Sequence, residues 1–333
     1  MPAKIFNDKE VNLAPILDKT CAVIGYGAQG RAHALNLRDS GIPVIVALPP
    51  KSHSRLRARR DGLRLTSTAR AVREAEILFL ALPDTKMAEI YQAEIAPQLR
   101  VGQMLLFAHG FAIHYRTIIP RNDIDVVMVA PKGLGPMVRT QFLEGRGVPC
   151  VIAIAQDATG HARALAFAYA KAIGGTRAGV IETTFQEETE ADLFAEQAVL
   201  CGGMSALVEA GFSTLVEAGY QPEMAYFECL HELKFIVDLM HHAGISGMRA
   251  RISETAKWGD VSTGPRIIGR EVREEMKRVL DEIREGKFAR DWLRETKSGR
   301  KRYRQLLKKD QARPIEKVGA RLRQMMPWLD ENE

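Results

Sequence analysis

From Thr20 to about Val180, short apolar runs alternate with stretches of helical periodicity, and after Ile181 the strand signal stops. That change of rhythm restricts the fold more than any other feature. Six strands are predicted in the first part: Cys21 to Ile24, Pro43 to Leu48, Ile77 to Leu82, Met104 to Phe107, Val126 to Ala130 and Cys150 to Ala155. Helical patterns lie between most of them, for example Arg31 to Arg38, Met87 to Leu99 and Thr159 to Ile173. Strands without a polar face, separated by helices, predict a doubly wound α/β domain with a parallel sheet covered on both sides.

Beyond Ile181 the pattern is helical. Thr184-Phe185-Gln186-Glu187 has the form of a capping box, and the helix it opens is predicted to reach about Ala218 before Gly219. Pro222 suits the first turn of a second helix, running to about Ala243 before Gly244, and the rest through Trp328 reads as helix with Gly breaks. The expected organisation is an α/β domain over 1–182, an all-α domain over 183–328 and a short tail over 329–333. A chain of 333 residues that is 46% hydrophobic can bury two such cores, which excludes disorder.

The loop after the first predicted strand carries the first chemistry. In Ala22-Val23-Ile24-Gly25-Tyr26-Gly27-Ala28-Gln29-Gly30 a GxGxxG follows an apolar strand and precedes a helix. Gly25 permits a tight turn, Gly27 lets backbone approach a pyrophosphate, and Gly30 allows helix to pack closely on strand, while the helix N-terminus presents free N–H groups. This is a Rossmann-type dinucleotide site. An NAD site would normally end its second strand on Asp or Glu. Here Leu48-Pro49-Pro50 is followed by Lys51, Ser52, His53, Ser54 and Arg55, hydroxyls and cations without a carboxylate, which favours the 2′-phosphate of NADPH.

The helical part carries the second. Asp192 and Glu196 are four apart on one predicted helix, and Glu228 and Glu232 repeat the spacing on the next, both among apolar residues. Like charges at that spacing repel unless neutralised, and a hard divalent cation with oxygen ligands neutralises them, so two pairs suggest a two-metal site. Glu187, Glu188 and Glu190, by contrast, need no function in a first helical turn, where they oppose the helix dipole. Glu228 and His231 form one Glu-x-x-His, whereas a di-iron bundle needs two. His231, His241 and His242 read as structural or solvent-facing.

Other features point to blander roles. The segment Lys297 to Arg323 holds eleven Lys or Arg against Asp310 and Glu316, but Tyr303, Leu306, Leu307, Ile315, Val318 and Leu322 interleave at helical spacing, as on docked helices with solvated basic faces rather than a nucleic-acid footprint. Cys21, Cys150, Cys201 and Cys229 are far apart with apolar neighbours and form no CxxC, which predicts neither disulfide nor zinc. Met1 to Glu10 has no apolar leader core, and uninterrupted apolar runs such as Ile77 to Pro83 are too short to span a bilayer, so a cytoplasmic protein is expected.

On these motifs the chain resembles the ketol-acid reductoisomerases of the short, class I type over nearly its whole length. The resemblance rests on GYGAQGRAHALNLRDSG (Gly25 to Gly41), FAHGFAIHY (Phe107 to Tyr115), APKGLGPMVR (Ala130 to Arg139), TTFQEETEADLFAEQAVLCGG (Thr183 to Gly203), AYFECLHELKFIVDLM (Ala225 to Met240), ISETAKWGD (Ile252 to Asp260) and PIEKVGARLRQMMPW (Pro314 to Trp328). It implies NADPH and two Mg²⁺ as cofactors, with Asp192 bridging both ions, Glu196 on one, and Glu228 and Glu232 completing the site. It also implies Lys132 and His109 beside the reacting centre, catalytic roles for Glu196 and Glu232, and Ser253 on the substrate carboxylate. Gly135 joins the cofactor loop and Ser52 and Ser54 as cofactor-binding residues. A knotted helical domain and a dimer or larger homo-oligomer with shared active sites are further implications.

The chain departs from the family pattern at several positions. Pro49 stands in place of a common Arg, Ala28 and Arg31 in place of a common Ser and His, and Ala195 in place of a usual Gly, while Glu254 and Lys257 alter the surroundings of Ser253. The rival readings are a metal-independent 3-hydroxy acid dehydrogenase, which has no use for four paired acids, and a nucleotide-sensing regulator with a basic C-terminal region.

Overall fold

A computed structural model describes residues 2–328, so the tail expected at 329–333 lies outside the described residues. The chain divides into two compact units between Ala191 and Asp192.

The first unit is built on a nine-stranded sheet. Its strands are β1 (Ile5–Phe6), β2 (Cys21–Ile24), β3 (Val44–Ala47), β4 (Arg64–Thr66), β5 (Ile77–Leu80), β6 (Met104–Phe107), β7 (Asp125–Pro131), β8 (Cys150–Gln156) and β9 (Val180–Glu182). They lie in the order β1-β9-β8-β7-β6-β5-β2-β3-β4. The six from β4 to β7 are parallel, and their order is that of a dinucleotide-binding sheet, with the direction of winding switching between β2 and β5.

Every residue of β2, β5, β6 and β7 is buried, as expected of strands covered on both faces. Successive residues enter opposite layers. Cys21, Val23, Ile77, Phe79, Met104 and Leu106 pack on one face, and Ala22, Ile24, Leu78, Leu80, Leu105 and Phe107 on the other.

The doubly wound parallel sheet expected from the sequence is present in the six strands from β4 to β7, and the sheet as a whole is mixed. β8 runs antiparallel to β7, and β1 antiparallel to β9. A buried apolar run such as Cys150–Gln156 has the same composition whichever way its neighbour points, so direction is not written in it. β1, β4 and β9 were not among the predicted strands; they are two or three residues long, and β4 opens on an exposed Arg64 at the sheet edge.

The second unit is helical throughout its described residues. Its longer helices are Gly202–Glu217, Leu233–Arg249, Glu254–Ile267, Arg270–Arg284, Lys287–Lys297, Lys301–Gln311 and Pro314–Arg323. Gly219 ends the first, and Gly244 interrupts the second with φ 70°. The core is small: Val208, Phe212, Ala225, Tyr226, Ile315 and Leu322. Leu200, Phe235 and Trp258 are 66%, 53% and 72% exposed.

Two helical segments here are not regular. The Cys201 N–H donates to the Glu196 carbonyl at 3.1 Å and the Glu232 N–H to the Phe227 carbonyl at 3.0 Å, i→i+5 bonds that widen the turns Glu196–Leu200 and Phe227–His231. Wide turns of this kind cluster at functional positions. The helical span Phe185–Glu217 is long and apolar enough to cross a membrane by length and composition alone. The sequence expectation rested on short apolar runs such as Ile77 to Pro83, and this span is broken by Glu187, Glu188, Glu190, Asp192, Glu196 and Glu209.

Candidate active site

The ends of β2, β3, β5 and β6 open into a cavity of about 630 Å³ at the switch point of the sheet. Its wall includes Gly25, Tyr26, Gly27, Ala28, Gln29 and Gly30, the segment Ala81 to Asp84, and Ser52 and Ser54. Gly25 has φ +104°, and a Cβ there would meet the Ala81 carbonyl oxygen at 2.1 Å, so only glycine fits. Nothing lies within 4 Å of the place a Cβ would occupy on Gly27, leaving room for a ligand to reach the backbone. At Gly30 a Cβ would stand 2.7 Å from the Gly25 carbonyl oxygen, so the helix Ala28–Asp39 rests on the loop itself.

Gly135 does not line this cavity. It starts the helix Gly135–Leu143, whose first residue sits on the backbone of Ala28 and Gln29, and Gln29 Nε2 donates to the Gly133 carbonyl at 2.9 Å. Its place is therefore behind the loop.

The adenosine end differs from expectation in one respect. Among the described residues no Lys or Arg lines the cavity, whose wall there is Pro49, Ser52 and Ser54. Arg55 turns back instead, donating to the Leu48 carbonyl at 2.8 Å. The wall there offers hydroxyls, and the carboxylates that line the cavity are Asp84, directly after β5, and Glu94.

At the other end, His109 joins the wall directly after β6. Its Nδ1 lies 3.3 Å from Glu188 Oε2, and Lys132 Nζ donates to Glu188 Oε1 at 2.8 Å. Glu188 is buried on the helix Phe185–Ala195. Burial alone would raise its carboxyl, but hydrogen bonding by His109 and the charges of His109 and Lys132 outweigh this and hold it below the usual carboxylate range. Thr184 starts this helix as predicted, its Oγ1 accepting from the Glu187 N–H at 3.0 Å, although the Glu187 carboxylate takes the Thr183 hydroxyl at 2.5 Å rather than closing the box. The Gly110 N–H also reaches Glu188, at 3.3 Å.

Glu188 is the site residue that sequence reasoning missed. It stands in a first helical turn, where an acid is favourable without any partner. The FAHG and APKG stretches supply its partners from distant parts of the chain, and no local signal joins them.

In the second unit, Glu196 stands at the start of one wide turn, while Glu228 lies inside the other and Glu232 closes it. Glu196, Glu228 and Glu232 are exposed, and Asp192 is half-buried. Among the described residues of one chain, Glu196, Glu228 and Glu232 join no group of three metal-ligating side chains close enough to share an ion. Ser253 caps the helix Glu254–Ile267, its Oγ accepting from the Ala256 N–H at 3.1 Å, and Glu254 is paired with Lys257 at 2.5 Å.

A switch-point cavity with glycines at one end and, at the other, a histidine beside a buried glutamate that also holds a lysine belongs to the dinucleotide-dependent oxidoreductases. Residues 15–179 match the family model described as acetohydroxy acid isomeroreductase, NADPH-binding domain, and residues 185–328 match that described as ketol-acid reductoisomerase, C-terminal domain. The chain belongs to the ketol-acid reductoisomerase family and is an NADP-dependent oxidoreductase. It is 55% identical to the ketol-acid reductoisomerase (NADP(+)) of Saccharopolyspora erythraea over 328 residues, 98% of this chain and 99% of that one. It is also similar to the structure of an NADH-preferring ketol-acid reductoisomerase from an uncultured archean, at 44% identity and a TM-score of 0.94, covering 96% and 98% of the two chains. A likeness in fold alone extends to an oxidoreductase structure from Jannaschia sp. CCS1, at 19% identity and a TM-score of 0.61, covering 80% and 95%.

Proposed function

We propose that this chain carries out Mg²⁺-dependent alkyl migration and NADPH reduction of 2-acetolactate and 2-aceto-2-hydroxybutyrate. The products are 2,3-dihydroxy-3-methylbutanoate and 2,3-dihydroxy-3-methylpentanoate, on the way to valine and isoleucine. The observation that carries this reading is the buried Glu188, which holds Lys132 and stands beside His109 of the dinucleotide cavity wall. A cytoplasmic location and a domain boundary near 182/183 belong to the same reading.

The donor set fits the cations. Asp192, Glu196, Glu228 and Glu232 offer only carboxylate oxygens, the ligands a hard ion such as Mg²⁺ takes. No cation of the described residues pairs with Glu228 or Glu232, so that exposed like-charged pair lacks neutralisation within one chain. When bound, two such ions supply Lewis acidity at the hydroxyl and keto oxygens of the substrate. NADPH supplies the reducing equivalent.

The chain's own groups do the rest. In the first unit, Gly25 to Gly30 with Ser52 and Ser54 hold the dinucleotide, and Glu188 fixes His109 and the Lys132 ammonium, which favours negative charge developing on a substrate oxygen. In the second unit, the Glu196 carboxylate takes the C2 hydroxyl proton, Glu232 returns a proton as the 2-keto group is reduced, and Ser253 Oγ–H binds the substrate carboxylate. A second copy of the chain completes the site. The exposed acids and the exposed Phe235, Val237 and Met240 on the following helix support a homodimer that covers this face.

The test is NADPH oxidation with 2-acetolactate and with the rearranged 3-hydroxy-3-methyl-2-oxobutanoate, with and without EDTA, for wild type and Glu196→Gln. Wild type should use both substrates and lose acetolactate turnover in EDTA. Glu196→Gln should lose acetolactate turnover yet keep NADPH binding and measurable reduction of the rearranged acid. EDTA-resistant turnover of acetolactate would overturn the metal reading.

A further inference from the structure

The helix Ser54–Arg60 carries one wall of the dinucleotide cavity but is poorly anchored by packing. Ala58 is its only buried residue, and Leu56 is 65% exposed. Seven residues with one buried methyl group cannot fix their own position by apolar contact. Two polar latches do so instead. At its start Arg55 donates to the Leu48 carbonyl at 2.8 Å.

At its end stands Asp61. Arg31 grips it with two parallel bonds, Nε to Oδ2 at 2.8 Å and Nη2 to Oδ1 at 2.9 Å, and the Tyr26 hydroxyl donates to the same Oδ2 at 2.8 Å. Arg38 also donates to the Asp61 carbonyl oxygen. Tyr26 lies inside the GxGxxG loop and lines the cavity, and Arg31 belongs to the first turns of the helix Ala28–Asp39. The Asp61 latch thus ties the pyrophosphate loop, its helix and the Ser54–Arg60 helix at one point. The two-pronged pair with Arg31 holds the Asp61 carboxyl below the ordinary range, so Asp61 is an anion whose charge Arg31 offsets.

We propose that Arg31 is a positioning residue for discrimination between NADPH and NADH: by holding and neutralising Asp61 it keeps Ser52 and Ser54 in place for the 2′-phosphate. This rests on the reading that the wall at Ser52 and Ser54 receives that phosphate. Among the described residues no Lys or Arg lines the cavity, so once Arg31 is lost Arg38 is the cation that still offsets part of the Asp61 charge. The repulsion by Asp61 acts on the dianionic 2′-phosphate and leaves the 2′-hydroxyl of NADH almost untouched.

The experiment is titration of NADPH and NADH into the full-length protein, followed by reduced-nicotinamide fluorescence, for wild type, Arg31→Met, Asp61→Asn and the double variant. Arg31→Met should raise the Kd for NADPH about tenfold and that for NADH by about twofold or less. Asp61→Asn added to Arg31→Met should restore most of the NADPH affinity, because the amide removes the charge and still accepts from Tyr26. Equal weakening toward both cofactors in a folded Arg31→Met protein, or no change toward either, overturns the proposal. Should Arg31→Met not fold, Arg31→Lys keeps the charge and loses the second prong, and its loss must again fall on NADPH; an equal loss refutes it. Equal affinity of the wild type for both cofactors would instead remove the reading beneath it.

Discussion

Replacing Gly135 by Ala tests how the cofactor loop is supported from behind. The added Cβ would stand 2.4 Å from the Ala28 carbonyl carbon, 2.5 Å from its oxygen and 2.7 Å from the Gln29 nitrogen. Carbon atoms in comfortable contact are about 3.5 Å apart, so one side must retreat by about 1 Å. All three atoms are backbone and cannot rotate away. If the helix Gly135–Leu143 retreats, the bond from Gln29 to the Gly133 carbonyl and the packing of Val138 on Ala32 loosen, at about 1–3 kcal/mol of stability. If the loop retreats, the pyrophosphate cradle is displaced and kcat/KM falls by about tenfold to a hundredfold. Urea unfolding and NADPH titration separate the two cases. Gly133→Ala is the control, because its Cβ would meet the Val148 side chain at 3.1 Å, which can yield, and its cost should be smaller. A Gly135→Ala protein within twofold of wild type in NADPH affinity and kcat/KM, and with an unchanged unfolding midpoint, would refute the argument.

Two further outcomes are expected. Burial pushes the His33 imidazole down to about 3 from 6.5, while its Nδ1 lies 3.0 Å from the Tyr169 hydroxyl. The unfolded chain therefore takes up the proton first: the group's stability is complete above pH 6.5 and is lost as pH falls toward 3, by about 2 kcal/mol between pH 7 and 5. His33→Gln should flatten that part of the urea stability–pH curve, and an unchanged slope would rule His33 out as its source. Mixing inactive Asp192→Asn and inactive Glu228→Gln chains by co-refolding should restore activity in hybrid dimers that keep one intact site. Verified hybrids that stay inactive would exclude the shared site.

Legibility followed the range of the forces involved. Cys21–Ile24 and Met104–Phe107 were bounded to the residue, because a strand buried on both faces declares itself by composition. Arg64–Thr66 gave no such signal, since an edge strand satisfies its polar groups in water. The reversal of β8 was equally silent. Gly25, Gly27 and Gly30 could be assigned separate roles because each acts within a few residues of itself or on the next strand. Glu188 could not, since its value comes from His109 and Lys132, brought to it by the fold. The basic loop was half legible: the missing carboxylate was visible, but the diversion of Arg55 to a backbone carbonyl depends on how the loop closes.

The wide turns at Glu196 and at Phe227 have a consequence for how such a helix tolerates change. Each behaves as one residue too many for a regular α-helix, so the next helical stretch is rotated by about 100° from where an unbroken helix would carry it. A single helical rod then shows two differently aimed stripes, one on either side of the turn. Removing one residue there would repair every hydrogen bond and improve the helix as a helix. It would also swing every side chain downstream out of phase with the surface it was selected to meet, so the irregularity, and not the residues beyond it, sets their direction.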